Sequence, residues 1–238
     1  MDDRELVATA SCVLDECGLG DLIWGHVSCR DRHGRGTWIK ASGFGLEETS
    51  PDHVVLIGRD GTLLQGEGGV PIEHPIHTEI LAARADVGCV VHCHAPHAIA
   101  LAATGEPLRP ISHEGTLFTP PDIVRFTETA DLIRTPGLGG MLADRLGARN
   151  AALMVSHGIV AVGEDVPAAV MTTVLLERAC RLQLLAMAAG PLRTWSSDAE
   201  ALEKRARCWA RSQIEGGWAY LVRKASPAWA EASPAQTR

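Results

Sequence analysis

Val90-Val91-His92-Cys93-His94-Ala95-Pro96-His97 is an apolar run that ends in alternating histidines. It reads as a buried strand, and side chains two positions apart on a strand share a face. His92 and His94 therefore project side by side, while Cys93 points the other way. Upstream lies Glu73-His74-Pro75-Ile76-His77, and downstream the apolar run Ala151-Ala152-Leu153-Met154-Val155-Ser156 delivers His157-Gly158. Two histidines from one strand end, a third from another and a nearby carboxylate have the ligand set of an open site for zinc or a similar divalent ion. The plain alternative is a pair of satisfied polar residues at a sheet edge, and the motif by itself does not choose.

Outward from that run, the periodicities alternate. Leu6, Val7, Ala10, Val13, Leu14 and Cys17 form a helical stripe over residues 4–17, ended by Gly18-Leu19-Gly20. Short strands follow at 25–30 and 37–40 around a turn at 31–36, and Ala41-Ser42-Gly43-Phe44-Gly45 leaves the second as a glycine loop. Val54–Ile57 and Thr62–Leu64 read as a hairpin, Pro75–Arg84 as a helix with Glu73 just before it, and Pro96–Ala103 as a helix that turns His97 aside from a possible third ligand position. His74 and His77 are candidates to orient Glu73, set against plain helix packing. Prolines at 110, 120 and 121 predict extended, sharply bent backbone over 109–121. A helix over 139–146, a hairpin of 151–156 with 158–163, and two long helices, 166–189 and 198–224, complete the pattern. Helices around many short, hairpin-linked strands predict an α/β fold, a three-layer α/β/α sandwich around a mixed, largely antiparallel sheet, in one domain over residues 1–224 with a frayed tail at 225–238.

Composition narrows the function classes. The chain has 238 residues, 46% hydrophobic and 21% charged, which is ordinary globular usage. A net charge of −7 without a basic run argues against nucleic acid as a partner. No apolar segment approaches the roughly 20 residues of a membrane helix, and the acidic start Met1-Asp2-Asp3-Arg4-Glu5 is unlike a signal peptide. Seven cysteines without Cys-x-x-Cys pairs read as thiols of a reduced, cytoplasmic protein.

Five motifs in order, Gly25-His26-Val27-Ser28, Ser42-Gly43, Glu73 with His77, His92-Cys93-His94 and Ser156-His157-Gly158, resemble the class II aldolase/adducin superfamily over roughly residues 4–190. The resemblance implies a divalent metal ion held by His92, His94 and His157, with Glu73 as the acid/base. Zinc is the expected ion, and manganese, cobalt or ferrous iron suit the same ligands. It also implies a homotetramer with active sites at subunit interfaces. Sugar-phosphate members of that family usually carry Gly-Asn where this chain has Gly25-His26, and a serine pair where it has Pro71-Ile72. Pro71 has no N–H to offer a phosphate. His26 and Lys40 are candidates to pair with a substrate carboxylate, and Ser28, Ser42 and Gly43 to hold an anion. His113 falls near the place where aldolases of the family bring a tyrosine in from a neighbouring subunit, which makes it a candidate proton donor. Tyr220, the only tyrosine, reads as packing or as a cap over a site. The expectation is a metal-dependent carbon–carbon lyase, by preference a decarboxylase of a non-phosphorylated hydroxylated aromatic or oxo carboxylic acid. An aldolase or epimerase acting on a sugar phosphate, a non-heme iron oxygenase and a non-catalytic adducin-like interaction domain are the alternatives.

Overall fold

The histidine run forms β5 (Cys89–Cys93), an interior strand of an eight-stranded sheet in the computed structural model, which describes residues 1–226. Apart from Ala225 and Ser226, the tail expected to fray lies outside the described residues. The antiparallel neighbours of β5 are β1 (His26–Arg30) on one side and β8 (Gly158–Gly163) on the other. β2 (Thr37–Lys40), β3 (Val54–Ile57) and β4 (Leu63–Gln65) extend the sheet past β1. Past β8 come β7 (Ala151–Met154) and β6 (Val124–Phe126), and the β6–β7 pair is parallel whereas the rest are antiparallel. The sheet is thus mixed and largely antiparallel, as expected.

Alternation along each strand gives the sheet two apolar faces. Val91, Leu153, Ile159 and Ala161 pack with α1 (Asp3–Glu16), α3 (Pro96–Thr104), α5 (Val166–Ala188) and, through Trp218, α7 (Arg211–Lys224). Val90, Ala152, Met154, Val160 and Val162 pack with α2 (His74–Ala83) and α4 (Pro136–Leu146). Each fully buried Val, Leu, Ile or Met among them contributes about 1.5–3 kcal/mol. The two layers of helices leave the β5 end and the adjoining turns to carry polar groups. α3 starts immediately after the histidines; its N-cap, Ala95, makes no side-chain bond, and Glu177 of α5 caps it instead, accepting from the His97 and Ala98 N–H groups at 3.0 Å each.

Two stretches depart from the sequence reading. The bent segment over 109–121 contains a 3₁₀ turn at Glu114–Leu117, and the parallel strand β6 follows it without a sequence signature of its own. The helix expected over 198–224 is two, α6 (Asp198–Cys208) and α7, because Ala210 is extended with φ −58° and ψ 151°. α6 is tied to the 3₁₀ region: the Arg205 guanidinium donates to the Thr116 and Pro120 carbonyls at 2.6 and 2.8 Å, and Trp209 Nε1 to the His113 carbonyl at 3.1 Å. α7 sends Trp218 into the α1/α5 core. One straight helix cannot serve both surfaces.

Candidate metal centre

His92 is fully buried on the α2/α4 face, directly across the β1–β5 ladder from His26. His94 stands on the same side just beyond the strand. His157 arrives on the turn between β7 and β8, which its N–H closes on the Met154 carbonyl at 3.0 Å, with Ser156 at φ 61°. One ligand atom from each of these three histidines lies within 4.8 Å of the others, and the ring centroids are 4.9 to 5.5 Å apart. Gly158 makes this possible. A Cβ there would stand 2.6 Å from the Cys93 carbonyl oxygen and 3.1 and 3.3 Å from the His94 and His92 rings.

The hydrogen bonds set which nitrogens face inward. His92 Nδ1 donates to the Ile159 carbonyl at 2.9 Å and His94 Nδ1 to Asp21 Oδ2 at 2.7 Å, so each presents a bare Nε2. Glu73, 5% exposed at the N-cap of α2, accepts from the Ile133 N–H at 2.8 Å and aims its carboxylate at the histidines. Its oxygens stand 3.4 Å from His157 Nε2 and 3.7 Å from His92 Nε2. Neither approach is a hydrogen bond, and His92 Nε2 and both ring nitrogens of His157 are buried without a partner among the described residues. Buried polar atoms are rarely left so. Three imidazoles aimed at one point with a carboxylate across from them fit a divalent cation. Burial pulls His92 down to about 4, which keeps it a neutral donor. Burial pushes the Glu73 carboxyl up, but the imidazoles of His157 and His92 and the Ile133 N–H outweigh it and hold the acid at about 2.

The other predicted residues divide. His26 is beside the trio, its ring centroid 5.5 Å from that of His92. Burial and the neighbouring His77 hold it well below its ordinary pKa, so it meets a ligand as a neutral N–H donor and not as a cation. The Ser28 hydroxyl is fully buried and committed to His77 Nδ1 at 2.7 Å. It is therefore no open anion site. His77 Nε2 reaches His26 Nδ1 at 3.4 Å, so His77 braces His26 and Ser28, and Glu73 takes its hydrogen bond from Ile133. His74 packs against Gly61 rather than orienting Glu73. Lys40 is a correction. The register pairs Ser28 with Ile39, which sends Lys40 with Trp38 to the opposite face. There its ammonium donates to the Phe44, Ile23 and Ala41 carbonyls. Ser42 and Gly43 form an exposed loop bridged to Gly69, and Gly43 has φ +90° with open space beside it. His97 bonds Glu177 at 2.5 Å and is turned away, as expected. His113 is exposed, its ring 3.6 Å from Cys208 Sγ, and Tyr220 is 45% exposed on α7 along a cavity of about 680 Å³ against α5. Within this one chain neither joins the trio. Burial pushes the Cys93 thiol up to about 12, so it is an inert apolar contact. Asp21, Ile133 and Gly158 complete the site; Asp21 and Ile133 escape sequence reasoning because their partners are far away in the chain.

Residues 5–184 match the family model described as Class II Aldolase and Adducin N-terminal domain. The chain is 30% identical over 199 residues to a 3,4-dihydroxyphthalate decarboxylase of Arthrobacter keyseri, covering 79% of each. It is 32% identical over 160 residues to a 5-methylthioribulose-1-phosphate/5-deoxyribulose-1-phosphate aldolase of Rhodospirillum rubrum, covering 67% of this chain and 70% of the relative. Among solved structures, an L-fuculose 1-phosphate aldolase from Glaciozyma antarctica superposes with a TM-score of 0.84 at 22% identity, over 96% of this chain and 90% of that one. The layered fold around one sheet, the motifs along it and the family match agree: this chain belongs to the class II aldolase and adducin family.

Proposed function

We propose that this chain, a metal-dependent lyase, decarboxylates a non-phosphorylated hydroxylated aromatic or oxo carboxylic acid. The observation that carries the reading is the Glu73 carboxylate standing 3.4 and 3.7 Å from two imidazole nitrogens of the trio. A divalent ion on His92, His94 and His157 would polarise the substrate oxygen next to the scissile bond and accept charge there. Glu73, anionic at rest, takes the proton of the substrate hydroxyl and returns it to the carbon from which carbon dioxide departs. The Ile133 N–H keeps Glu73 aimed throughout. In this reading His26, a neutral imidazole beside His92, would donate a hydrogen bond to the substrate, and the exposed Ser42-Gly43 loop would add an anion contact.

The surroundings support a substrate without phosphate. Ile72 is 60% exposed one residue before Glu73, Leu132 is 38% exposed one residue before Ile133, and Trp24 is 50% exposed two residues before His26. Pro71 withholds an N–H. Pro71 and Ile72 thus stand where sugar-phosphate members of the family carry a serine pair, and exposed apolar side chains near the site residues suit an aromatic ring. The similarity to the Arthrobacter keyseri decarboxylase points the same way. The second reading, an aldolase or epimerase acting on a sugar phosphate, draws on the open Gly43 loop and on the similarity to the Rhodospirillum rubrum enzyme.

The working form of this reading is a zinc-loaded cytoplasmic homotetramer with sites at subunit interfaces, where His113 and Tyr220 would act on a neighbour's site. No helix among the described residues is long and apolar enough to cross a membrane. The test is carbon dioxide release by metal-loaded protein from a panel of hydroxybenzoates and keto acids. Release without dioxygen supports the proposal; cleavage of ketose 1-phosphates replaces it with the aldolase, and turnover that requires dioxygen replaces it with an oxygenase.

A further inference from the structure

We propose that Asp21 is a positioning residue for the metal site, holding His94 with Nε2 toward the cation and strengthening it as a ligand. The three imidazoles are backed differently. His92 Nδ1 leans on a neutral backbone carbonyl, that of Ile159, and His157 has no partner on either nitrogen among the described residues. His94 Nδ1 alone leans on a carboxylate, Asp21 Oδ2 at 2.7 Å, from a residue 73 positions away. A carboxylate behind an imidazole fixes the tautomer and raises the electron density at the far nitrogen, which is the one left for the ion.

The segment that carries Asp21 is shaped for this contact and not for burial. The Trp24 N–H closes a turn on the Asp21 carbonyl at 2.9 Å, with Leu22 at φ 51°. Among the described residues, Leu22 and Ser156 are the two non-glycine residues with positive φ, and each lies in a turn that hands a side chain to this site. Backbone held in such a region marks an arrangement that its surroundings over-determine. Leu22, Ile23 and Trp24 are 73%, 47% and 50% exposed, so core packing does not impose the turn. From beneath, Lys40 Nζ donates to the Ile23 carbonyl at 3.3 Å and to the Phe44 carbonyl at 2.5 Å, tying the turn to the glycine loop. The lysine that fails to face the substrate thus steadies the turn that carries Asp21.

This inference rests on the reading of His92, His94 and His157 as a metal site, and one experiment separates the two. Metal-free protein is titrated with Zn²⁺ against a chromogenic chelator, for wild type, Asp21→Ala and Asp21→Asn, and the visible spectrum of the Co²⁺ form is recorded alongside the melting temperature of each metal-free protein. Wild type is expected to bind one equivalent. Asp21→Ala is expected to bind about 10- to 100-fold more weakly, with a shifted Co²⁺ spectrum and an unchanged metal-free melting temperature. Asp21→Asn, whose amide oxygen still accepts from Nδ1, is expected to fall between them. Wild type that ignores zinc overturns the metal site and the inference together. Tight wild-type binding with equal affinity and spectrum in Asp21→Ala overturns the role of Asp21 alone. Should the alanine variant not fold, Asp21→Asn decides: wild-type affinity overturns the assignment, and a several-fold loss with a shifted spectrum supports it.

Discussion

Two sets of buried imidazoles share one face of the sheet, and they are finished in opposite ways. His77 has both ring nitrogens engaged inside the protein, Nδ1 with Ser28 and Nε2 with His26. His92 and His157 keep nitrogens that are buried and unpartnered among the described residues, and those nitrogens converge with a free nitrogen of His94. Residue type and sheet face are the same in both sets, and His92 is as deeply buried as His77. What separates a structural histidine from a candidate ligand is whether its neighbours use up its nitrogens, and that is a property of the hydrogen-bond network. The first set braces the wall of the site, and the second defines its centre.

The largest expected effect breaks this contrast directly. His94→Ala removes one of three donors, so metal retained after dialysis, measured by atomic emission, is expected to fall to background and turnover with it. A His94→Ala protein that keeps its ion would dissolve the distinction between the sets. Glu73→Gln keeps the donors and removes the proton carrier. It is expected to retain metal and to lose about 10²- to 10⁴-fold in kcat, and ordinary activity would strip Glu73 of its role.

His77 sharpens the contrast through pH. Its folded pKa is lowered to about 3, chiefly by burial, against an unfolded value near about 6.5. Below the unfolded value the unfolded chain binds the proton that the folded one refuses. The stability it contributes is thus complete above about pH 6.5 and is lost as pH falls toward about 3. Metal-free protein is expected to lose about 1–2 kcal/mol from this group between pH 6.5 and pH 5. The urea midpoint measured across that range should fall less steeply in His77→Gln; an unchanged slope would mean that the buried network does not hold His77 neutral. The smallest effect is expected at Cys93, which lies between two ligands in sequence but faces the α1/α5 core. Cys93→Ala should lower stability by about 1 kcal/mol and leave kcat within about twofold, whereas a large loss of turnover would bring the thiol into the chemistry.

Much of the site is legible in the chain because it is local. Strand alternation alone puts His92 and His94 on one side and Cys93 on the other, and Gly158 sits beside His157 in the motif itself. The face of Lys40 depends on the pairing of Ser28 with Ile39, and no residue near Lys40 encodes that pairing. The commitment of Ser28 is equally invisible locally, since its partner, His77, lies 49 positions on. Asp21 carried no motif at all, since its meaning comes from His94, 73 positions away. The break at Ala210 has the same origin: a helical stripe runs through it, yet α6 and α7 dock on different surfaces.

Read alone, the amino-acid order determined the layered α/β architecture, the strand and turn that deliver the three histidines, and the departures at His26 and Pro71-Ile72 that turn the reading away from phosphate. Those rest on period, proline chemistry and side-chain type, which act over a few residues. The tertiary structure decided which nitrogens stay bare, which carboxylate steadies His94 and which face Lys40 occupies. Each depends on strands and turns meeting across dozens of residues, and only the folded chain sets those distances.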